Sequence, residues 1–192
     1  IDGGSVSEAA AGGTVVGKLY TADADKGDAH TYQLVDAQGN AVKDTNFEIQ
    51  DNALVVRDGA SLDFESNASQ TLYVQVTDTG GATHIEDIII SIEDANDAPT
   101  GIKLDGGSVS EAAAGGTVVG KLYTADADKG DARSYQIVDA IGNVIDDANF
   151  VIQDNAIVVR DGASLDFESA ASQTLHVQVT DRAGVTHIQD IA

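Results

Sequence analysis

Thr71-Leu72-Tyr73-Val74-Gln75-Val76-Thr77-Asp78 reads as a half-buried strand. Leu72, Val74 and Val76 recur at every second residue, so an extended chain presents them on one face and Gln75 and Thr77 on the other. The same pattern returns at Thr174 to Asp181. Outward from it, Thr14 to Ala22, Thr31 to Val35, Phe47 to Gln50, Ala53 to Arg57 and Thr83 to Glu93 read as further strands, with a short one near Ser5-Val6. Clusters of Gly, Asn and Asp between them are turn signals, and no segment carries a helical period. Seven short strands at this spacing predict an all-β antiparallel sandwich with Greek-key connections.

The chain holds this unit twice. Offset by 103 positions, Ser7-Glu8-Ala9-Ala10-Ala11-Gly12-Gly13-Thr14-Val15-Val16-Gly17 returns as Ser110 to Gly120, and Leu62-Asp63-Phe64-Glu65 returns as Leu165-Asp166-Phe167-Glu168. About four-fifths of the aligned positions match, over a period that is the usual size of an independent domain. The reading is therefore two tandem seven-stranded sandwiches. The first spans 1–97, a linker 98–104 follows, and the second spans 105–192. Ala192 aligns with Ile89, so the second is expected to lack most of its last strand, and the chain reads as an excerpt from a longer tandem array. The differences between copies gather at 30–48 and 79–82, and swaps such as Leu34 to Ile137 and Leu54 to Ile157 conserve core volume.

Composition narrows the partners. With 32 acidic residues against 10 Lys and Arg, the net charge of −22 argues against nucleic acid and anionic membranes and favours cations. No apolar run is long enough to insert into a membrane. The absence of cysteine excludes disulfides and thiolate metal sites.

At the joint between the copies stands Asp94-Ala95-Asn96-Asp97-Ala98-Pro99. Together with Ser7-Glu8, Gly13-Thr14-Val15-Val16-Gly17, Ala22-Asp23-Ala24-Asp25, Leu62-Asp63-Phe64-Glu65 and Val76-Thr77-Asp78, in that order and nearly all repeated, it resembles cadherin repeats. The resemblance is to those of large bacterial surface proteins such as RTX-type adhesins. It implies a cadherin-like, Ig-like fold and calcium at the joint. Family ligands fall on Glu8, Asp63 and Glu65 at the base of the first repeat. They continue on Asp94, Asn96 and Asp97 in the linker, and on Asp126, Asp128 and Asp181 at the top of the second. Asp23, Asp25 and Asp78, and at the other end Glu111, Asp166 and Glu168, would be incomplete outer half-sites. The chain departs from the family at Ala98, where animal cadherins usually carry Asn, and its linker is one residue shorter.

The residue types fit this ion. Calcium takes six to eight oxygens in tolerant geometry, whereas zinc prefers nitrogen and sulfur, and these carboxylates would serve about two or three ions. Without cations the charges would repel within a Debye length of about 8 Å, so the joint is expected to be loose when empty and stiff when filled. Asp23 to Asp28 and Asp126 to Asp131 also have a plain reading as turns, and Asp28 and Asp131 are read that way. An EF-hand fails: from Asp23 its sixth and twelfth positions are Asp28 and Leu34, and from Asp94 they are Pro99 and Asp105. The Gly-rich nonapeptide of calcium-binding β-helices is absent.

Catalysis has no constellation to support it. His30, His84, His176 and His187 read as strand-face or surface residues without acids at telling offsets. Asp63 and Glu65 read as metal ligands rather than as a glycosidase pair. Gly12-Gly13 and Gly80-Gly81 read as turns, with no lysine or helix to make a phosphate loop.

The expected function is that of calcium-stiffened extender modules in a secreted bacterial surface adhesin, extracellular and serving adhesion or biofilm. Neighbouring repeats of the same chain are the first partners. The alternative is a carbohydrate-binding or homophilic module, for which Tyr20, Tyr32, Tyr73 and Tyr123 offer stacking faces.

Overall fold

The computed structural model describes residues 1–25, 27–131 and 133–192; Lys26, inside the acidic stretch 23–28, and Ala132 lie outside the described residues. The chain divides into two compact units, Ile1–Ala95 and Asn96–Ala192. The division falls two residues before the boundary expected at 97. Of the stretch expected as linker, residues 101–104 lie in a strand, because Ile102 and Leu104 alternate with polar neighbours and one of them is buried.

The described residues of unit 1 form eight strands: β1 (Asp2–Gly3), β2 (Ser5–Ser7), β3 (Val15–Lys18), β4 (Thr31–Val35), β5 (Phe47–Gln50), β6 (Ala53–Val56), β7 (Ser69–Thr77) and β8 (Thr83–Glu93). They form two sheets, β1-β3-β6-β5 and β2-β8-β7-β4. The first strand is split between the sheets. Gly3 and Gly4, both at positive φ, carry the chain across, and it then continues in the same direction beside the last strand. The pair β2–β8 is therefore parallel, with Ser5 opposite Ser91, Val6 opposite Ile92 and Ser7 opposite Glu93. All other pairings are antiparallel, as the alternating pattern predicts.

Phe47, Leu54, Leu72, Val74, Ile90 and Ile92 fill the space between the sheets. Leu72 and Val74 of the opening stretch are buried as their alternation requires, and Val76 is half-buried. β5 and β6 are joined by Asp51-Asn52, both at positive φ, the conformation of a two-residue hairpin turn. Gly12 lies so close to Asp58 that a Cβ would stand 2.9 Å from its Cα, and Gly115 meets Asp161 in the same way.

Unit 2 repeats the plan with β9 (Gly101–Gly106), β10 (Val118–Ala125), β11 (Ser134–Val138), β12 (Phe150–Gln153), β13 (Ala156–Val159), β14 (Leu175–Thr180) and β15 (Thr186–Ile191). The sheets are β12-β13-β10-β9 and β11-β14-β15. β15 has six residues against eleven in β8. Ser108-Val109-Ser110, the copy of β2, is not a strand, since the partners of β2 at 91–93 correspond to positions past Ala192. Where Ile90 and Ile92 fill unit 1, unit 2 has a cleft of about 450 Å³ lined by Leu104, Val109, Phe150, Leu165, Leu175 and Ile191. None of the described residues is helical, and no helix is long and apolar enough to cross a membrane.

Candidate metal centre

Each unit has its own set of acids, around Glu8 in unit 1 and around Asp181 and Asp128 in unit 2. In unit 1 the end of β2 delivers Glu8, the turn after Leu62 delivers Glu65, and the residue after β8 is Asp94. One carboxylate oxygen from each lies within 4.8 Å of the others. Glu8 is fixed at both oxygens: the Phe64 N–H donates to Oε2 (2.6 Å) and the Ala95 N–H to Oε1 (2.8 Å). Each oxygen keeps a lone pair, so these bonds aim the carboxylate without using up its capacity.

Asp63 is not a member of this trio. Its oxygens accept from the Ser66 N–H (2.7 Å) and hydroxyl (2.8 Å), closing the turn that presents Glu65, and the hydroxyl bond first of all holds its carboxyl below the usual range. The Asp-x-x-Ser spacing at 63–66 is a turn signal readable in the sequence.

In unit 2, Asn96 donates its amide to Asp181 Oδ2 (2.9 Å), and the Val185 N–H donates to Asp181 Oδ1 (2.7 Å). Asp181 is buried, and the Asn96 amide is the main cause that keeps its carboxyl below the ordinary range despite burial. The Asp97 N–H donates to Asp128 Oδ2 (2.7 Å), and the Asp128 N–H to Asp126 Oδ1 (3.1 Å). Hydrogen bonds thus link Asn96 to Asp181, and Asp97 to Asp128 and Asp126. A cation absent from the sequence reading joins them: Arg133 Nε donates to Asp126 Oδ2 at 3.3 Å.

The donor chemistry suits a hard cation. Three carboxylates sharing a 4.8 Å sphere repel unless a counter-charge or a proton intervenes, and an oxygen-only set with irregular spacing fits calcium. Glu8, Glu65 and Asp94 would hold it in unit 1; in unit 2 Asn96, Asp97, Asp126, Asp128 and Asp181 would be the donors, although no three of those carboxylates come within 4.8 Å of one another among the described residues.

The outer ends also collect acids. Glu111, Asp166 and Glu168 lie within 4.8 Å of one another, the Phe167 N–H donating to Glu111 Oε2 (2.9 Å) as in unit 1. At the other end the trio is Asp23, Asp28 and Asp78, with Asp28 where Asp25 was expected. Asp28 and Asp25 close a turn through the Asp28 N–H and the Asp25 carbonyl (3.4 Å), so Asp28 has the expected turn role and faces the acids as well.

Three of the four histidines have acidic partners where none was expected, although His84 and His176 do lie on strands as read. His30 meets Asp23 (2.9 Å), His84 meets Glu86 (3.2 Å) and His176 meets Asp190. Residues 84 and 86 share a strand face at the period of two, and β14–β15 pairing places 176 opposite 190. Of the tyrosines, Tyr20 and Tyr123 are exposed, while the Tyr32 hydroxyl bonds Thr21 (2.9 Å) and Tyr73 is half-buried in β7.

No family model matches the chain. Human Cadherin-24 is 30% identical over 192 residues, covering 92% of this chain and 23% of that protein. The chain thus spans about a quarter of the curated relative's length. Among solved structures, PcdhgB3 EC1-4 matches with a TM-score of 0.70 at 26% identity, over 99% of this chain and 46% of that one. Human Protocadherin-24 EC1-2 matches with a TM-score of 0.66 at 20% identity, over 98% of this chain and 89% of that one. The curated relatives, from human and mouse, are cadherins by name. The chain consists of two tandem all-β domains with the cadherin-like sandwich fold.

Proposed function

We propose that the chain forms non-catalytic, calcium-binding extender modules of a large extracellular adhesin, stiffened at the joint by about two or three ions. The observation that carries this reading is the trio Glu8, Glu65 and Asp94, three carboxylates from separated parts of the sequence within 4.8 Å. Asp94, Asn96 and Asp97 lie within four residues of one another, so calcium held by the first and by the other two would restrain the intervening backbone. Extracellular calcium modules bind with dissociation constants of about 0.1–1 mM. At ten times such a constant one site stabilises the bound arrangement by about 1.4 kcal/mol.

The bacterial surface origin is part of the same proposal. About four-fifths identity between consecutive copies suits an array of interchangeable spacers, none needing a surface of its own.

Calorimetric titration of chelator-stripped protein with calcium, magnesium already present, tests the reading. About two or three sites in the micromolar to millimolar range are expected. Asp94→Asn should weaken binding roughly tenfold, or 1.4 kcal/mol, without unfolding the chelated protein. No calcium uptake at millimolar concentration would overturn the proposal. Exposed Tyr20 and Tyr123 favour a second reading, carbohydrate binding by stacking, which selective capture on a glycan array would promote.

A further inference from the structure

Residue 133 is one of the places where the copies differ: unit 1 has His30 there and unit 2 has Arg133. Both side chains reach back seven residues to the first acid of an Asp-Ala-Asp. His30 Nε2 lies 2.9 Å from Asp23 Oδ2. Arg133 spans more of the loop, its Nε donating to Asp126 Oδ2 (3.3 Å) and its Nη2 to the Asp128 carbonyl (3.2 Å). The second oxygen is already engaged in each case, Asp23 Oδ1 by the Asp25 N–H (2.9 Å) and Asp126 Oδ1 by the Asp128 N–H (3.1 Å). The Asp126 side chain has no exposed surface, whereas Arg133 keeps 20%. An arriving cation therefore meets a carboxylate whose remaining oxygen faces a guanidinium.

The acids around the two side chains are also arranged differently. Asp23, Asp28 and Asp78 present oxygens within 4.8 Å of one another, while their counterparts Asp126, Asp131 and Asp181 form no such group among the described residues.

We propose that Arg133 is a resident counter-ion of the calcium half-site in unit 2, neutralising Asp126 when calcium is absent and competing with calcium for it. The proposal rests on the calcium reading above and concerns its regulation. Two effects of the arginine oppose each other. By clamping the loop it preorganises the ligands, which favours binding; by placing a fixed positive charge on a ligand oxygen it opposes binding. The second prevails, because the Asp128 N–H to Asp126 bond and the Asp97 N–H to Asp128 bond hold the loop without the arginine. The loop's other cation, Lys129, is exposed and makes no ion pair with Asp126 among the described residues, so it does not replace that charge. Burial of the Asp126 side chain strengthens the competition, since charges interact more strongly away from water.

Calcium titrations of the full chain compare the parent with Arg133→Gln, Arg133→His and Arg133→Lys, each also melted in chelator. Arg133→His copies a residue that unit 1 accommodates and serves if the glutamine variant fails to fold. Arg133→Gln and Arg133→His should shift the titration midpoint to lower calcium by roughly threefold to tenfold, while Arg133→Lys, which keeps the charge, stays within about twofold. In chelator the glutamine variant should melt below the parent, and calcium should raise its melting temperature more than the parent's. Unchanged or weaker binding in both neutralising variants, or equal tightening by lysine, would overturn the counter-ion role and leave calcium binding standing. Absence of calcium uptake by the parent would overturn both.

Discussion

Val15-Val16-Gly17-Lys18-Leu19-Tyr20-Thr21-Ala22 and Val118 to Ala125 are the same eight residues, yet β3 ends at Lys18 and β10 continues to Ala125. The difference lies in the partner. β9 pairs with β10 along six positions, from Gly106 opposite Gly120 to Gly101 opposite Ala125, whereas β1 offers β3 only Asp2 and Gly3. Ser69-Gln70-Thr71 shows the reverse case. These residues join β7 against Ile89, Ile90 and Ser91, while the identical Ser172-Gln173-Thr174 stay outside β14. Strand length in this molecule is thus a property of pairing rather than of local propensity, which is a weak, context-dependent preference.

The largest expected effect tests the shared core. Phe47 is fully buried, and Phe47→Ala should cost about 3–5 kcal/mol in unit 1. Phe150 borders the open cleft, so Phe150→Ala should cost less, read by hydrogen exchange over each unit separately. Equal losses would mean that the cleft does not loosen the second core.

Breaking the pairing itself comes next. Ile102→Pro removes a buried side chain and the N–H that donates to the Gln189 side chain (2.7 Å), at a cost of about 2–5 kcal/mol. Amide protection over 122–125 should then fall to that of 19–22. Protection that survives would return the length of β10 to its own sequence.

Smaller still, Gly12→Ala and Gly115→Ala each push a Cβ against an aspartate backbone and should cost about 1–3 kcal/mol in denaturant melts. The two should agree, because the two close approaches are the same.

The smallest effect concerns acid. Asp36 and Asp139 close matching turns, and the side-chain amides of Asn40 and Asn143 are the main cause of their lowered pKa. A carboxyl lowered in the folded state contributes stability that is fully present above its unfolded value, about 3.9. That stability is lost as pH falls through the folded value. Asp36→Asn and Asp139→Asn should flatten the loss of stability below about pH 4 equally in both units. Unequal slopes would show that the turns differ in environment despite their common geometry.

Much of this was legible in the residues. The period of two at Leu72, Val74 and Val76 located the central strand, and the repeat at 103 located its twin. The parallel β2–β8 pair was not legible, because Ser5-Val6-Ser7 contains one apolar residue and pairing direction leaves no mark in so short a stretch. In the site, Glu8, Glu65 and Asp94 were named from the resemblance and lie together. Arg133 was missed because residue type alone does not say that the side chain turns back over the loop. The change from His30 was the available signal.

The parallel pair has a mechanical consequence. If tension is applied to the two ends of unit 1, it passes through β1 to the start of β2 and leaves at the end of β8, and β2 and β8 run side by side in one direction. Their few hydrogen bonds then lie across the line of pull and share the load, whereas a hairpin pulled at its open end surrenders its bonds one after another. Three residue pairs, Ser5 with Ser91, Val6 with Ile92 and Ser7 with Glu93, are therefore a clamp that must shear, behind the two β1–β3 pairs on the load path, before the sandwich can open.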